Sequence, residues 1–233
     1  MRSALLGVLL GLGLLTQAQA GAISVTPTRL AIDSSERFGT LVLENRGDAA
    51  SLVQLSAHAW QDGDNTSIGE PTQDLVVVPP VVEIPARGRQ IVRLASRSAS
   101  ANAMEASYRL RIQEVPTEVG PALGVRIALN INMPVFVTPP GGRPDVSWSL
   151  LAAEQGGWWL QARNTGNAHL RVREPSIATS AEAGFRIDDI AYVLAGQSKR
   201  WHISAEAGLR SGMTAVLAGK TPSGDLNARV MVP

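Results

Sequence analysis

The sequence contains no cysteine in 233 residues. That excludes a disulfide scaffold, a thiolate zinc site, an iron–sulfur cluster and a cysteine nucleophile. Lysine is almost missing: Lys199 and Lys220 are the two present, against nineteen arginines. Neither sign of charge is in excess, with 21 basic and 20 acidic side chains, which excludes a globally basic nucleic-acid binder. Helix signals are nearly absent, and there is no glycine-rich phosphate loop. His58, His169 and His202 lack metal spacing and read as strand or surface histidines. Gly196-Gln197-Ser198 lacks the closing glycine of a nucleophile elbow. Asp62-Gly63-Asp64-Asn65 lacks the twelve-position calcium pattern and reads as a polar hairpin turn. No acid–base or nucleophile set emerges, so the expectation is no enzyme and no cofactor.

What is present reads as a globular protein, since 45% of the residues are hydrophobic. The first twenty residues have the form of an export signal. Arg2 supplies a short positive region and Ala4 to Leu15 an unbroken apolar and glycine run. Small residues follow, with cleavage expected after Ala20. The run falls short of the roughly 20 apolar residues that span a bilayer. The expected mature chain is therefore secreted.

Strand signals recur through the rest with turn residues between them, the pattern of a sandwich or barrel. Ile23 to Ile32 is strand-like but holds Pro27, which predicts an edge position or a switch between sheets. Thr40–Asn45, Ser51–Trp60, Leu75–Val78, Gln90–Leu94 and Ser107–Ile112 follow. The proline- and glycine-rich stretch 139–144 is the predicted linker. Beyond it a second series runs through 146–150, 158–162, 170–173, 191–194, 200–203, 214–217 and 228–232. Residues 21–138 and 145–233 each have the size of one immunoglobulin-like sandwich. The predicted fold is all-β, with two such domains in series.

One strand stands apart. Leu123, Val125, Ile127, Leu129, Ile131 and Met133 occupy every second position, so in a strand all six project from one face. Periodicity fits two readings. Either this is a half-buried strand of the first sandwich, or part of the stripe is an open edge held ready for a partner strand.

With these residues in view, the chain resembles the periplasmic pilus-assembly chaperones of the PapD-like, chaperone–usher type. Thr26-Pro27-Thr28-Arg29 resembles the family's first strand, and Pro79-Pro80-Val81 through Leu94 its proline bend and following strand. Tyr108 to Pro116 resembles the strand ending in an acidic-apolar-proline turn, and Ile127 to Pro139 the long edge strand. Pro222 to Asn227 resembles the final turn. Pro134-Val135-Phe136 is similar to the divergent, archaic-type branch.

The resemblance implies two immunoglobulin-like domains in an L-shaped arrangement and a periplasmic location. It also implies donor-strand complementation: the chaperone lends an edge strand to a pilus subunit that lacks its own last strand, then delivers it to an outer-membrane usher. Carried over by position, the lending residues are Leu123, Val125, Ile127, Leu129 and Ile131. Arg29 matches one of two basic residues that hold the subunit's terminal carboxylate. The other, a lysine in the family, is replaced here by Pro134, with Arg89 as candidate substitute and Arg126 as a second. The competing expectation is a secreted sandwich protein whose Trp158, Trp159 and Trp201 contact a carbohydrate or surface ligand.

Overall fold

Pro27 divides the first strand-like stretch in two, and each half joins a different sheet. The computed structural model describes residues 23–60, 68–97, 103–116, 128–179, 185–187 and 191–233. The expected signal, residues 1–20, lies outside them. Strand β1 (Ile23–Thr26) pairs antiparallel with β3 (Phe38–Asn45). After the crossover β2 (Leu30–Asp33) pairs parallel with β9 (Asn130–Thr138). The remaining strands of this unit are β4 (Ser51–Ala59), β5 (Leu75–Val78), β6 (Val81–Ile84), β7 (Arg89–Ser96) and β8 (Ala106–Val115). One sheet has the order β1-β3-β7-β5 and the facing sheet β2-β9-β8-β4-β6. Gly39 marks the place where the crossover presses the two together. A Cβ there would stand 2.6 Å from the Leu30 side chain and 2.9 Å from that of Ile32, so a larger residue would push these side chains aside.

The core follows from strict alternation. Leu41 and Leu43 on β3, Val92 and Leu94 on β7, Leu110 and Ile112 on β8, and Met133, Val135 and Val137 on β9 all point inward. Each fully buried side chain of this kind contributes about 1.5–3 kcal/mol, and a chain without cysteine has no disulfide to add to it.

The second sandwich is built from β10 (Val146–Ala152), β11 (Trp158–Asn164), β12 (Leu170–Ala178), β13 (Phe185–Arg186), β14 (Ala191–Val193), β15 (Ser198–Ile203), β16 (Thr214–Thr221) and β17 (Gly224–Met231), with one 3-10 turn at Ala205–Ala207. Its sheets run β10-β11-β15 and β13-β12-β16-β17, with β14 also paired to β12. Strand β12 continues five residues past the predicted Arg173. It does so through a register shift between Arg173 and Ser176, where Glu174 has a positive φ of 51°. The bulge takes Pro175 out of the ladder, which is how a strand tolerates a proline.

The same turn closes a strand in both sandwiches, a repeat that hydrophobic patterning missed. Asn45-Arg46-Gly47-Asp48-Ala49 and Asn164-Thr165-Gly166-Asn167-Ala168 share the form Asn-x-Gly-(Asp/Asn)-Ala. In each the asparagine Oδ1 accepts the glycine N–H, at 2.9 and 3.0 Å. Its Nδ2 donates to the alanine carbonyl, at 2.8 Å in both. It also reaches a second strand, at the Ile84 carbonyl in one and the Val193 carbonyl in the other, both 3.0 Å away. Both asparagines are buried, and a buried amide needs these partners.

Candidate functional site

Strand β9 is flanked on one side along its whole length and on the other along only half of it. Strand β8 pairs with Asn130 through Val137, whereas β2 meets only Val135 through Thr138. The stretch Asn130–Pro134 therefore has a neighbour on one side alone among the described residues. The Glu114 N–H donates to the Leu129 carbonyl at 2.9 Å, which fixes the antiparallel alternation. Ile131, Met133 and Val135 exchange hydrogen bonds with β8. Asn130 and Asn132 turn their backbone N–H and C=O groups to the open side. Pro134 turns its donor-less nitrogen the same way, at the point where β2 begins. A proline is tolerated in a strand where no ladder bond is asked of it.

The apolar stripe crosses from core to rim along this strand. Met133 is 1% exposed, while Ile131 and Leu129 are partly buried and packed against the edge of the first core. Leu123, Val125, Arg126 and Ile127 lie outside the described residues.

The opposite face of β9 carries polar and aromatic groups. The registers set His58, Arg109 and Pro134 in one cross-strand row and Ser107 and Phe136 in the next. Arg29, itself half-buried, immediately precedes β2, whose first register pair is Leu30 with Val135. Arg109 is 3% exposed and its guanidinium carbon lies 3.6 Å from the centre of the Trp60 ring. Its Nη1 donates to the Asn132 carbonyl at 3.4 Å, the carbonyl that faces the open side.

This face abuts the second sandwich. Trp60 and Phe136 pack with Tyr192 and Leu194 in one buried cluster. The His169 ring stacks on Phe136 at 3.6 Å between centroids and 12° between planes. Beside it the Glu105 carboxylate, whose side chain has no exposure, accepts three hydrogen bonds. They come from the Thr138 hydroxyl at 2.7 Å, the His169 N–H at 3.0 Å and His169 Nδ1 at 2.8 Å. Gly142 in the connection leaves room for this approach: a Cβ would lie 2.8 Å from Thr138 Cγ2 and 3.4 Å from Ala168 Cβ.

Arg89 is placed elsewhere. It stands on the outer face of β7 in the other sheet and donates to Glu44 at 3.1 Å, with its side chain 71% exposed. That hydrogen bond holds the Glu44 carboxyl below the usual carboxylate range, with Arg46 adding to it. The structure does not bring Arg89 to Arg29. The tryptophans of the second sandwich do not form one surface either. Trp158 and Trp201 pack against its core, and the Trp158 indole donates to the Leu209 carbonyl at 3.3 Å. Trp159 lies on the opposite face against His202, 5.1 Å between ring centres. His58 bonds Ser56 and the Gly69 carbonyl, and His202 the Gly156 carbonyl. Sequence reading gave Arg109 no role, because a strand arginine opposite a proline carries no local signal.

The sequence matches the family of pili and flagellar-assembly chaperones, PapD N-terminal domain, over residues 22–143. No curated protein sequence matches the chain. Among solved structures, the fold is similar to that of the chaperone–tip adhesion subunit pre-assembly complex from the archaic chaperone–usher Csu pili of Acinetobacter baumannii. The TM-score is 0.65 and the identity 20%, over 90% of this chain and 98% of that one. It is similar also to the Salmonella enterica SafA pilin in complex with the SafB chaperone, with TM-score 0.67 and 17% identity over 93% and 99%. The E. coli chaperone DraB gives TM-score 0.65 and 16% identity over 91% and 98%.

Proposed function

The chain belongs to the pili and flagellar-assembly chaperones of the PapD type, and from that premise we propose that it holds incomplete pilus subunits in the periplasm by lending them the free edge of β9. A subunit that lacks its last strand exposes a groove and an unpaired edge, both aggregation hazards. Its own terminal strand pairs with Asn130–Asn132, and the apolar stripe of the chaperone continues into its groove as Leu123, Val125, Ile127, Leu129 and Ile131. Four or five such side chains give on the order of 10 kcal/mol gross, before the costs of association. The bound subunit then passes to an outer-membrane usher. The signal read over residues 1–20 supplies the route to the periplasm, and 139–144 is the linker between the two domains.

The observation that carries this reading is the half-open edge of β9. On the β2 side its ladder has no neighbour over Asn130–Pro134 among the described residues and is closed from Val135 onward. A partner strand added there must end at Pro134, since the proline offers no donor and β2 fills the next position. Arg29 stands at that end. A cation there favours the partner's carboxyl terminus over its amino terminus, which makes the added strand parallel to β9. Arg29 is thus the proposed carboxylate anchor. Arg89 would have to leave Glu44 and the other sheet to assist it.

Co-expression with a pilus subunit from the same operon tests the reading. Ile127→Asp and Leu129→Asp are expected to abolish recovery of soluble subunit while the chaperone itself is still recovered. Undiminished subunit recovery with both changes would sink the proposal.

A further inference from the structure

The outer face of the sheet β10-β11-β15 carries side chains that the second core does not use. The registers set them in three cross-strand rows: Leu151–Trp159–His202, Ser149–Gln161–Arg200 and Ser147–Arg163–Ser198. The first row and Arg200 line a depression of about 320 Å³, with Ala153 to Gln155 on its rim. Gly156 and Gly157, at φ 88° and 82°, fold the adjoining turn back. His202 Nε2 holds that turn by donating to the Gly156 carbonyl at 3.1 Å. We propose that this face docks an extended acidic peptide segment of a partner protein. An apolar side chain enters the depression, and the carboxylates two and four residues along meet Arg200 and Arg163. The surface belongs to the second sandwich and does not depend on the donor-strand reading.

Charge is the first support. Arg163 and Arg200 are exposed, and neither is in an ion pair among the described residues. No acid stands in the three rows. Glu154 lies on the rim, and Asp145 lies past the far end, where it accepts from the Thr165 hydroxyl at 3.0 Å. Charge of one sign within the rows selects an anion over a neutral saccharide. Arg200 is also held in place: its Nε donates to Gln161 Oε1 at 2.7 Å. That bond orients the guanidinium and leaves both Nη groups for two parallel hydrogen bonds to a carboxylate. The apolar seat is formed by Trp159 and by Leu151, which is 38% exposed. An apolar wall with a few convergent polar groups is the usual make-up of a ligand site. Trp158 and Trp201 stay in the core and take no part. Spacing is the last support. Successive rows are two residues apart along the strands, about 7 Å, the repeat with which an extended chain presents its side chains on one side.

The test is fluorescence anisotropy of a labelled, end-blocked peptide Leu-Ser-Glu-Ser-Glu with the full-length chaperone. Leu-Ser-Gln-Ser-Gln is the neutral control and chitotriose the saccharide competitor. The Glu peptide should bind at least about tenfold more tightly than the Gln peptide, as charge-assisted bidentate pairing requires, and should weaken as salt is raised. Arg200→Gln should bring the ratio close to one, and Arg163→Gln should lower it in part. Trp159→Ala should weaken both peptides by a similar factor. Arg93→Gln, at an exposed arginine of the first sandwich, should change nothing. Equal binding of the two peptides, no binding of either, or a full ratio in Arg200→Gln overturns the inference. So does a ratio lost equally in Arg93→Gln, or displacement of the Glu peptide by chitotriose. Should Trp159→Ala not fold, Leu151→Ser serves, and unchanged affinity for both peptides in that variant overturns the apolar seat. Each of these outcomes leaves the donor-strand reading standing.

Discussion

Glu105 is the residue whose importance is least visible in the sequence and most visible in the fold. Its carboxylate is sealed from solvent and satisfied by Thr138 and by two donors of His169. Removing it leaves buried donors unpaired, and Glu105→Ala should cost about 1–3 kcal/mol, read as a lowered urea midpoint with unchanged slope. His169 was legible only as a strand or surface histidine, because its partner lies 64 positions earlier. The exposed pair on the other sheet has the opposite character. Arg89 holds the Glu44 carboxyl below its usual range. Whatever stability this brings is present above the ordinary carboxylate range and lost as pH falls through the lowered value. At so exposed a site it is small. Arg89→Ala should raise the Glu44 titration midpoint by NMR and leave subunit binding unchanged.

Among elements, the strands that alternate cleanly were legible, and those shaped by neighbours were not. Pro27 announced an edge position or a switch between sheets, and β1 and β2 make the switch. The apolar stripe announced β9, and the described residues hold Leu129, Ile131 and Met133 of that stripe. Met133, Val135 and Val137 are core. The backbone beside Asn130 and Asn132 is an edge among the described residues. Periodicity reports which side chains share a face, not which strand lies alongside, so the sequence could not say where β2 would stop covering β9. Met133→Ala should therefore act on stability, costing about 2–5 kcal/mol. Leu129→Asp, at the rim, should act mainly on subunit recovery. Comparing the urea midpoint with the yield of co-purified subunit for the two variants checks the division.

For the whole molecule, the contact between the sandwiches rests on a small cluster assembled from distant stretches. Trp60, Phe136, Tyr192 and Leu194 come from a strand end, β9 and the segment around β14. No window of sequence contains two of the aromatic members, which is why the two sandwiches were foreseeable and their meeting was not. Trp60→Ala removes a buried indole from this cluster and the ring beneath Arg109. It should cost about 3–5 kcal/mol and broaden the range of interdomain geometries seen by small-angle scattering.

The scarcity of cysteine and lysine also acquires meaning at this scale. Without disulfides both units depend on packed cores and on the repeated asparagine turn. Without a lysine in the first sandwich, the proposed carboxylate anchor must draw on that unit's arginines.

The central claim concerns the open backbone of β9, and residue-resolved amide hydrogen exchange reads that backbone directly. In the free protein the Asn130 and Asn132 amides should exchange much faster than those of Ile131 and Met133, which bond to β8. With a pilus subunit bound, Asn130 and Asn132 should become protected to the level of their neighbours. Unprotected Asn130 and Asn132 amides in a complex that demonstrably contains subunit would contradict the account.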